Sequence, residues 1–147
     1  MESDFIVFVV DDDEAVRDSL GLLLSAHGFE VADFSSAVAF LDSDTHATPG
    51  CLVLDYHMPD MTGLDLLEKL QRLGAVRPTI MISGLANAAI RQRAATAGVK
   101  FFLEKPLRQD LLIETVKRIW RESESAANDG FAGRAIAGST PPATSNR

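Results

Sequence analysis

Five short apolar runs, each followed by a segment with helical spacing, constrain this chain more than any other feature. The runs are "FIVFVV" (5–10), "EVADF" (30–34), "CLVLD" (51–55), "TIMIS" (79–83) and "VKFFL" (99–103). Two of them are nearly continuously apolar, as strands covered on both faces are. Val16, Leu20, Leu23, Leu24 and His27 form a helical stripe that Gly28 closes. Ala37, Phe40 and Leu41 give a shorter stripe. Leu64, Leu67 and Leu70 give a third, opened by Thr62 and Asp65 at capping-box spacing. A fourth, alanine-rich segment runs from Asn87 to Ala97. The fifth carries Leu112, Val116 and Ile119 on one face, with Ile113 and Trp120 at its edge. Strict alternation of strand and helix implies an α/β fold: a doubly wound, five-stranded parallel sheet with helices on both faces.

In such sheets ligands collect outside the carboxyl ends of the strands, and that rule gathers residues scattered along the chain. Strand one ends at Asp11 and Asp12, strand three at Asp55, strand four at Ser83, and strand five just before Lys105. Carboxylates about 5 Å apart repel by roughly 3 kcal/mol at an effective dielectric near 20. A hard divalent cation offsets that repulsion, and Mg²⁺ takes one or two carboxylates together with waters and phosphate oxygens. Lys105 adds a positive point charge and Ser83 a hydroxyl donor. With an aspartate as oxygen nucleophile, these are the parts that phosphoryl transfer requires.

Composition narrows the alternatives. A chain of 147 residues, 46% apolar and 24% charged, is expected to form one globular domain with a sizeable core. A formal charge of −7 argues against direct nucleic acid binding. Cys51 is the only cysteine, so no internal disulfide forms, and it reads as a small buried hydrophobe. No apolar run approaches the ~20 residues of a membrane span. The N-terminal "MESDF" has neither the basic nor the apolar region of a secretory signal, so a cytoplasmic location is expected. From about Glu122 the chain turns rich in Ser, Ala, Gly, Thr and Pro without apolar period. The expected division is therefore a domain over 1–122 and a disordered tail or linker over 123–147.

The motifs "VVDDDEAVR", "LVLDYHMPDMTGLDLL", "IMISG" and "FFLEKP", in this order and spacing, make the chain resemble the receiver domain of two-component response regulators. The likeness spans residues 5 to about 121 and is nearest to receivers attached to helix-turn-helix output domains in nitrogen-fixation regulators. It implies a flavodoxin-like, CheY-like sheet in the order 2-1-3-4-5. By this likeness Asp55 would be the phosphoacceptor. Asp12 would ligate Mg²⁺ (or Mn²⁺) directly, Asp11 mainly through water, and the backbone carbonyl of His57 would complete the protein ligands beside Asp55. Ser83 would hydrogen-bond the phosphoryl oxygens and Lys105 would pair with them, with a cis Lys105–Pro106 bond. Phe102 would be the switch aromatic that follows Ser83 inward. The implied partners are a sensor histidine kinase and a downstream protein or a missing output domain, with a phosphorylation-dependent homodimer open. The implied chemistry is self-catalysed phosphoryl transfer and autodephosphorylation, not catalysis on an independent substrate. His57 and Leu85, two residues past the phosphoacceptor and the hydroxyl residue, would flank the phosphoryl group. Leu85 would hinder an attacking water and His57 would either shield or orient it, so an acyl phosphate lasting minutes or more is expected. In many receivers that dimerise through helix four, strand five and helix five, an acidic residue precedes the switch aromatic. Here Lys100 and Phe101 stand there, which leaves only an apolar version of that dimer open.

Other polar residues read as structural. Asp13 is expected to cap helix one. Asp60 belongs to a loop, Asp65 to a first helical turn, His27 to a helix edge, His46 to a loop, and Trp120 to packing. Helix four has one large apolar side chain, Ile90, among Ala88, Ala89, Ala94, Ala95 and Ala97. So little apolar area anchors weakly, and this helix is expected to move on phosphorylation. A competing reading is a phosphohydrolase of the haloacid dehalogenase class, with Asp11 as nucleophile, Asp13 as acid, and Ser83 and Lys105 as later motifs. It lacks a downstream acidic pair and leaves Asp55 and "MPDMTG" unexplained. Nucleotide binding is a third and weaker reading, because neither G-x-G-x-x-G nor a Walker sequence follows strand one.

Overall fold

Strand-helix alternation places β1 at Ile6–Val10, α1 at Glu14–Ala26, β2 at Glu30–Phe34, α2 at Ala37–Leu41 and β3 at Gly50–Asp55. The order continues with α3 at Gly63–Arg72, β4 at Thr79–Ser83, α4 at Ala88–Thr96, β5 at Phe101–Glu104 and α5 at Gln109–Ala137. The structure is a computed structural model and describes residues 5–43, 45, 47–84 and 87–137. The five strands form one parallel sheet in the order β2-β1-β3-β4-β5. That is the order the resemblance implied.

Period-two alternation divides the core between the two faces of the sheet. Phe8, Val10, Leu52, Leu54 and Met81 point to one face. They pack with Ala37 and Phe40 of α2, Leu64, Leu67 and Leu70 of α3, and Ala94 of α4. Val7, Val9, Cys51, Val53, Ile80 and Ile82 are the intervening, equally buried positions, on the side where α1 buries Leu20 and Leu24. Burial pushes the Cys51 thiol up to about 12, which fits its reading as a hydrophobe.

Caps set most helix ends. Asp13 accepts hydrogen bonds from the N–H groups of Ala15 (3.0 Å) and Val16 (3.4 Å) and so starts α1. Thr62 and Asp65 form a complete capping box on α3. Asn87 accepts from the Ile90 N–H at 2.8 Å and starts α4. At the other end of α4, Gly98 adopts a φ of +93° and its N–H donates to Ala95 O, while the Val99 N–H donates to Ala94 O. This is a Schellman-type stop. It accounts for the strand start that departs most from expectation: Val99 is committed to the helix cap, so β5 begins at Phe101, whereas β1 and β3 start within one residue of the expected position.

The chain divides into two compact units, Met1–Thr115 and Val116–Arg147. In the second, residues 116–137 are helical and Arg118 pairs with Glu122 one turn on, at 3.3 Å. Helix therefore continues past Glu122 to Ala137, through the described part of the expected tail. Composition there removes the apolar period but brings alanine, the strongest helix former, at five of the positions 123–137. Among the described residues, no helix is long and apolar enough to cross a membrane.

Candidate functional site

Main-chain bonds beyond the strand ends draw the polar residues to one rim. The Asp11 N–H donates to Phe34 O at 3.2 Å, the Tyr56 N–H to Ile82 O at 2.8 Å, and the Lys105 N–H to Ser83 O at 3.0 Å. Each bond carries a ladder one step past its strand, so the residues following β1, β3 and β5 are fixed against the ends of their neighbours. Gly63 completes the support. A Cβ there would lie 2.7 Å from the Asp55 carbonyl oxygen and 3.0 Å from the Met81 sulfur. Only glycine lets the start of α3 come this close to the end of β3.

The rim holds the residues the sequence singled out. Carboxylate oxygens of Asp11, Asp12 and Asp55 lie within 4.8 Å of one another, and Lys105 Nζ is 3.5 Å from Asp55 Oδ1. Asp11 and Asp55 are each 4% exposed and Ser83 is fully buried, whereas Asp12 and Lys105 are open to solvent. The Lys105–Pro106 peptide is cis. The Ser83 hydroxyl shares a hydrogen bond with His57 Nε2 at 3.5 Å. His57 stands edge-on to the Tyr56 ring, 4.6 Å between centroids, and its backbone N–H donates to Asp55 Oδ1 at 3.4 Å. Phe102 is half-buried on β5, with the Arg91 guanidinium 4.7 Å above its ring. Arg91 also pairs with Glu104.

Electrostatics follow from this burial. Desolvation raises the Asp55 carboxyl above the usual aspartate range; the Lys105 charge and the His57 N–H pull it back only in part, and Asp12 opposes them. Asp11 is raised for the same first reason, and the Asp13 N–H, donating to its Oδ1 at 2.9 Å, works against the rise. Two buried carboxyls and an exposed one, all offering hard oxygen ligands, suit a divalent cation such as Mg²⁺ or Mn²⁺.

Residues read as structural behave so. Asp13 is occupied as the α1 cap. Asp60 accepts from the Val38 N–H at 3.0 Å, and His27 Nδ1 lies 3.0 Å from Leu23 O. Leu85 and His46 lie outside the described residues. The sequence reading missed Arg17, which binds Asp33 through Nε at 3.1 Å and donates from Nη1 to Asp11 O at 2.8 Å. Its signal was available: it is the one cation in the acidic stretch "DDDEAVRD".

Residues 7–117 match the response regulator receiver domain family. The chain is 39% identical over 116 residues to the response regulator protein TmoT of Ectopseudomonas mendocina, covering 79% of this chain and 53% of that protein. It is 35% identical over 131 residues to the transcriptional regulatory protein FixJ of Bradyrhizobium diazoefficiens, covering 89% of this chain and 64% of that one. The chain thus spans less than two thirds of the length of either relative. Among solved structures, a CheY-like response regulator receiver domain protein from Methanospirillum hungatei superposes with a TM-score of 0.77 at 30% identity, over 84% of this chain and 99% of that one. The phosphohydrolase alternative gains nothing from these matches, and the acid it needs, Asp13, is spent on a helix cap. With the strand order, the acidic rim and the family match in agreement, the chain belongs to the response regulator receiver domains of two-component systems, a signalling family and not one of metabolic enzymes.

Proposed function

We propose that Asp55 is the phosphoacceptor of this receiver and that a sensor histidine kinase supplies the phosphoryl group. In the transfer, an Asp55 carboxylate oxygen forms a bond to phosphorus as the donor's N–P bond breaks. The imidazole leaves with the electron pair and takes up a proton. Asp11, Asp12, Asp55 and the backbone carbonyl of His57 would hold Mg²⁺ (or Mn²⁺), which supplies neutralisation of the phosphoryl oxygens when bound. Lys105 pairs with those oxygens and the Ser83 hydroxyl donates to one of them. The observation that carries this reading is the 3.5 Å approach of Lys105 Nζ to Asp55 Oδ1 beside two further carboxylates.

Phosphorylation draws Ser83 toward the phosphoryl group, and Phe102 follows inward, leaving its place under Arg91. Residues 123–147 serve as a tail or a linker, and the receiver acts in the cytoplasm through protein contacts, either with a downstream protein or with an output domain of the kind that the partly covered transcriptional regulators suggest. For a phosphorylation-dependent homodimer through the helix four, strand five and helix five face, Lys100 and Phe101 favour an apolar form over a charge-paired one.

Incubation with acetyl phosphate and Mg²⁺, followed by mass spectrometry, tests the assignment. Wild type gains one phosphoryl group on Asp55 and Asp55→Asn gains none. Labelling of Asp55→Asn to the wild-type extent overturns it.

A further inference from the structure

Asp12 is the one exposed member of the acidic triad, so its placement depends on the backbone that carries it. That backbone is tied at several points. The Asp11 N–H reaches Phe34 O at the end of β2. The Asp13 N–H is held by the Asp11 carboxylate, and the Asp13 carboxylate holds the first turn of α1. The carbonyl of the Asp11–Asp12 peptide accepts from Arg17 Nη1 at 2.8 Å. Arg17 is fixed in turn by Asp33, whose carboxylate accepts from Nε at 3.1 Å. The Arg17 side chain is only 14% exposed, and a guanidinium that donates through two nitrogens in a fixed plane is a rigid spacer. Both polar groups of the Asp11 main chain are therefore anchored to β2, one directly and one through this arginine.

We propose that Arg17 is a positioning residue for a divalent cation at the acidic rim: it fixes the Asp11–Asp12 peptide and so presents the Asp12 carboxylate. The inference rests on reading Asp11, Asp12 and Asp55 as metal ligands. Residues that orient ligands from behind typically change metal affinity by about 10- to 100-fold.

The sign of the effect separates positioning from charge. A guanidinium near the rim repels a cation, so losing its charge alone strengthens binding, and replacing it by lysine leaves binding unchanged. Loss of positioning weakens binding in both variants.

Isothermal titration of the full chain with Mg²⁺ at fixed pH and ionic strength, below the melting transition, reads this directly. Arg17→Ala is expected to raise the Mg²⁺ Kd about 10-fold. Arg17→Lys raises it less, since one ammonium reaches only one of the two acceptors. Asp33→Ala, at an exposed position, frees the far end of the arginine and weakens binding more than Asp33→Asn, which loses the same charge but keeps an oxygen that accepts from Nε, and this pair serves should Arg17→Ala not fold. An unchanged or tighter Kd in Arg17→Ala, or a Kd in Asp33→Ala no higher than in Asp33→Asn, overturns the proposal. Failure of the underlying reading looks different: wild type then takes up no Mg²⁺, or Asp12→Asn and Asp55→Asn bind it as wild type does.

Discussion

Lys105 Nζ stands 3.5 Å from Asp55 Oδ1, joining the loop after β5 to the end of β3. Asp55 is buried while Lys105 remains 41% exposed at its side chain, so the ammonium reaches over the rim from solvent. A cation so placed lowers the proton affinity of the carboxylate and meets negative charge arriving above it. Lys105→Ala is expected to slow labelling of Asp55 by acetyl phosphate about 100-fold, the usual cost of one preorganised donor. Because Lys105 holds the Asp55 carboxyl down against burial, its loss also moves the acid limb of labelling to higher pH. Rates measured across pH by mass spectrometry check both effects, and a wild-type rate in Lys105→Ala contradicts the assigned role.

Burial of Asp11 and Asp55 makes stability depend on pH in a direction opposite to that of a salt-bridged aspartate. Both carboxyls are raised above their ordinary value of 3.8, so the folded chain holds these protons more tightly than the unfolded one. Their contribution to stability is fully present below 3.8 and is lost as pH rises through the raised values. At neutral pH without metal, Asp55→Asn is expected to be more stable than wild type by about 1 kcal/mol, or about 2–4 °C in Tm. The difference should shrink on acidification, and also on adding Mg²⁺ to wild type. Thermal denaturation at several pH values, with and without Mg²⁺, measures it; an Asp55→Asn protein that melts below wild type at neutral pH is the contrary result.

Gly63 lets α3 start against the last residue of β3. In Gly63→Ala the new methyl meets the Asp55 carbonyl oxygen at 2.7 Å, and backbone cannot swing aside as a side chain can. A loss of about 1–3 kcal/mol is expected, read as a lower urea midpoint, together with slower labelling because Asp55 itself must shift. Wild-type stability and labelling together would show that the helix start yields without moving the strand.

α4 should be the least protected helix of the first unit. Its only buried side chain is Ala94, and Ile90 is half-buried. Its remaining ties are exposed: Arg93 with Asp65 and Glu68, and Arg91 with Glu104 and the Phe102 ring. Exposed ion pairs contribute only about 0.2–1 kcal/mol each. Hydrogen exchange should therefore run faster in α4 than in α1, change in α4 on adding beryllofluoride with Mg²⁺, and run faster still in Arg91→Ala. Equal protection in α1 and α4, with and without the analogue, counts against this.

Much of this arrangement was legible in the residues because it is local. Alternating apolar runs set five strands, and Asp13, Thr62 with Asp65, and Asn87 set helix starts through bonds that close within three residues. Once the chain is read as a parallel sheet, the ends of its strands must share an edge, which is why Asp11, Asp12, Asp55, Ser83 and Lys105 were named together. The start of β5 was misplaced where two local signals compete: Val99 is apolar and β-branched, yet its N–H is taken by the α4 cap.

What the sequence by itself determined, then, is which residues reach the rim, because periodicity and capping are properties of neighbours along the chain. Only the tertiary structure decided how they meet there. The Arg17 bridge from Asp33 to the Asp11 carbonyl, the His57–Ser83 hydrogen bond and the raised proton affinity of Asp55 all depend on distances between strands and on exclusion of water. Those quantities exist only after register and packing have brought distant segments within a few ångströms, and no local pattern encodes them.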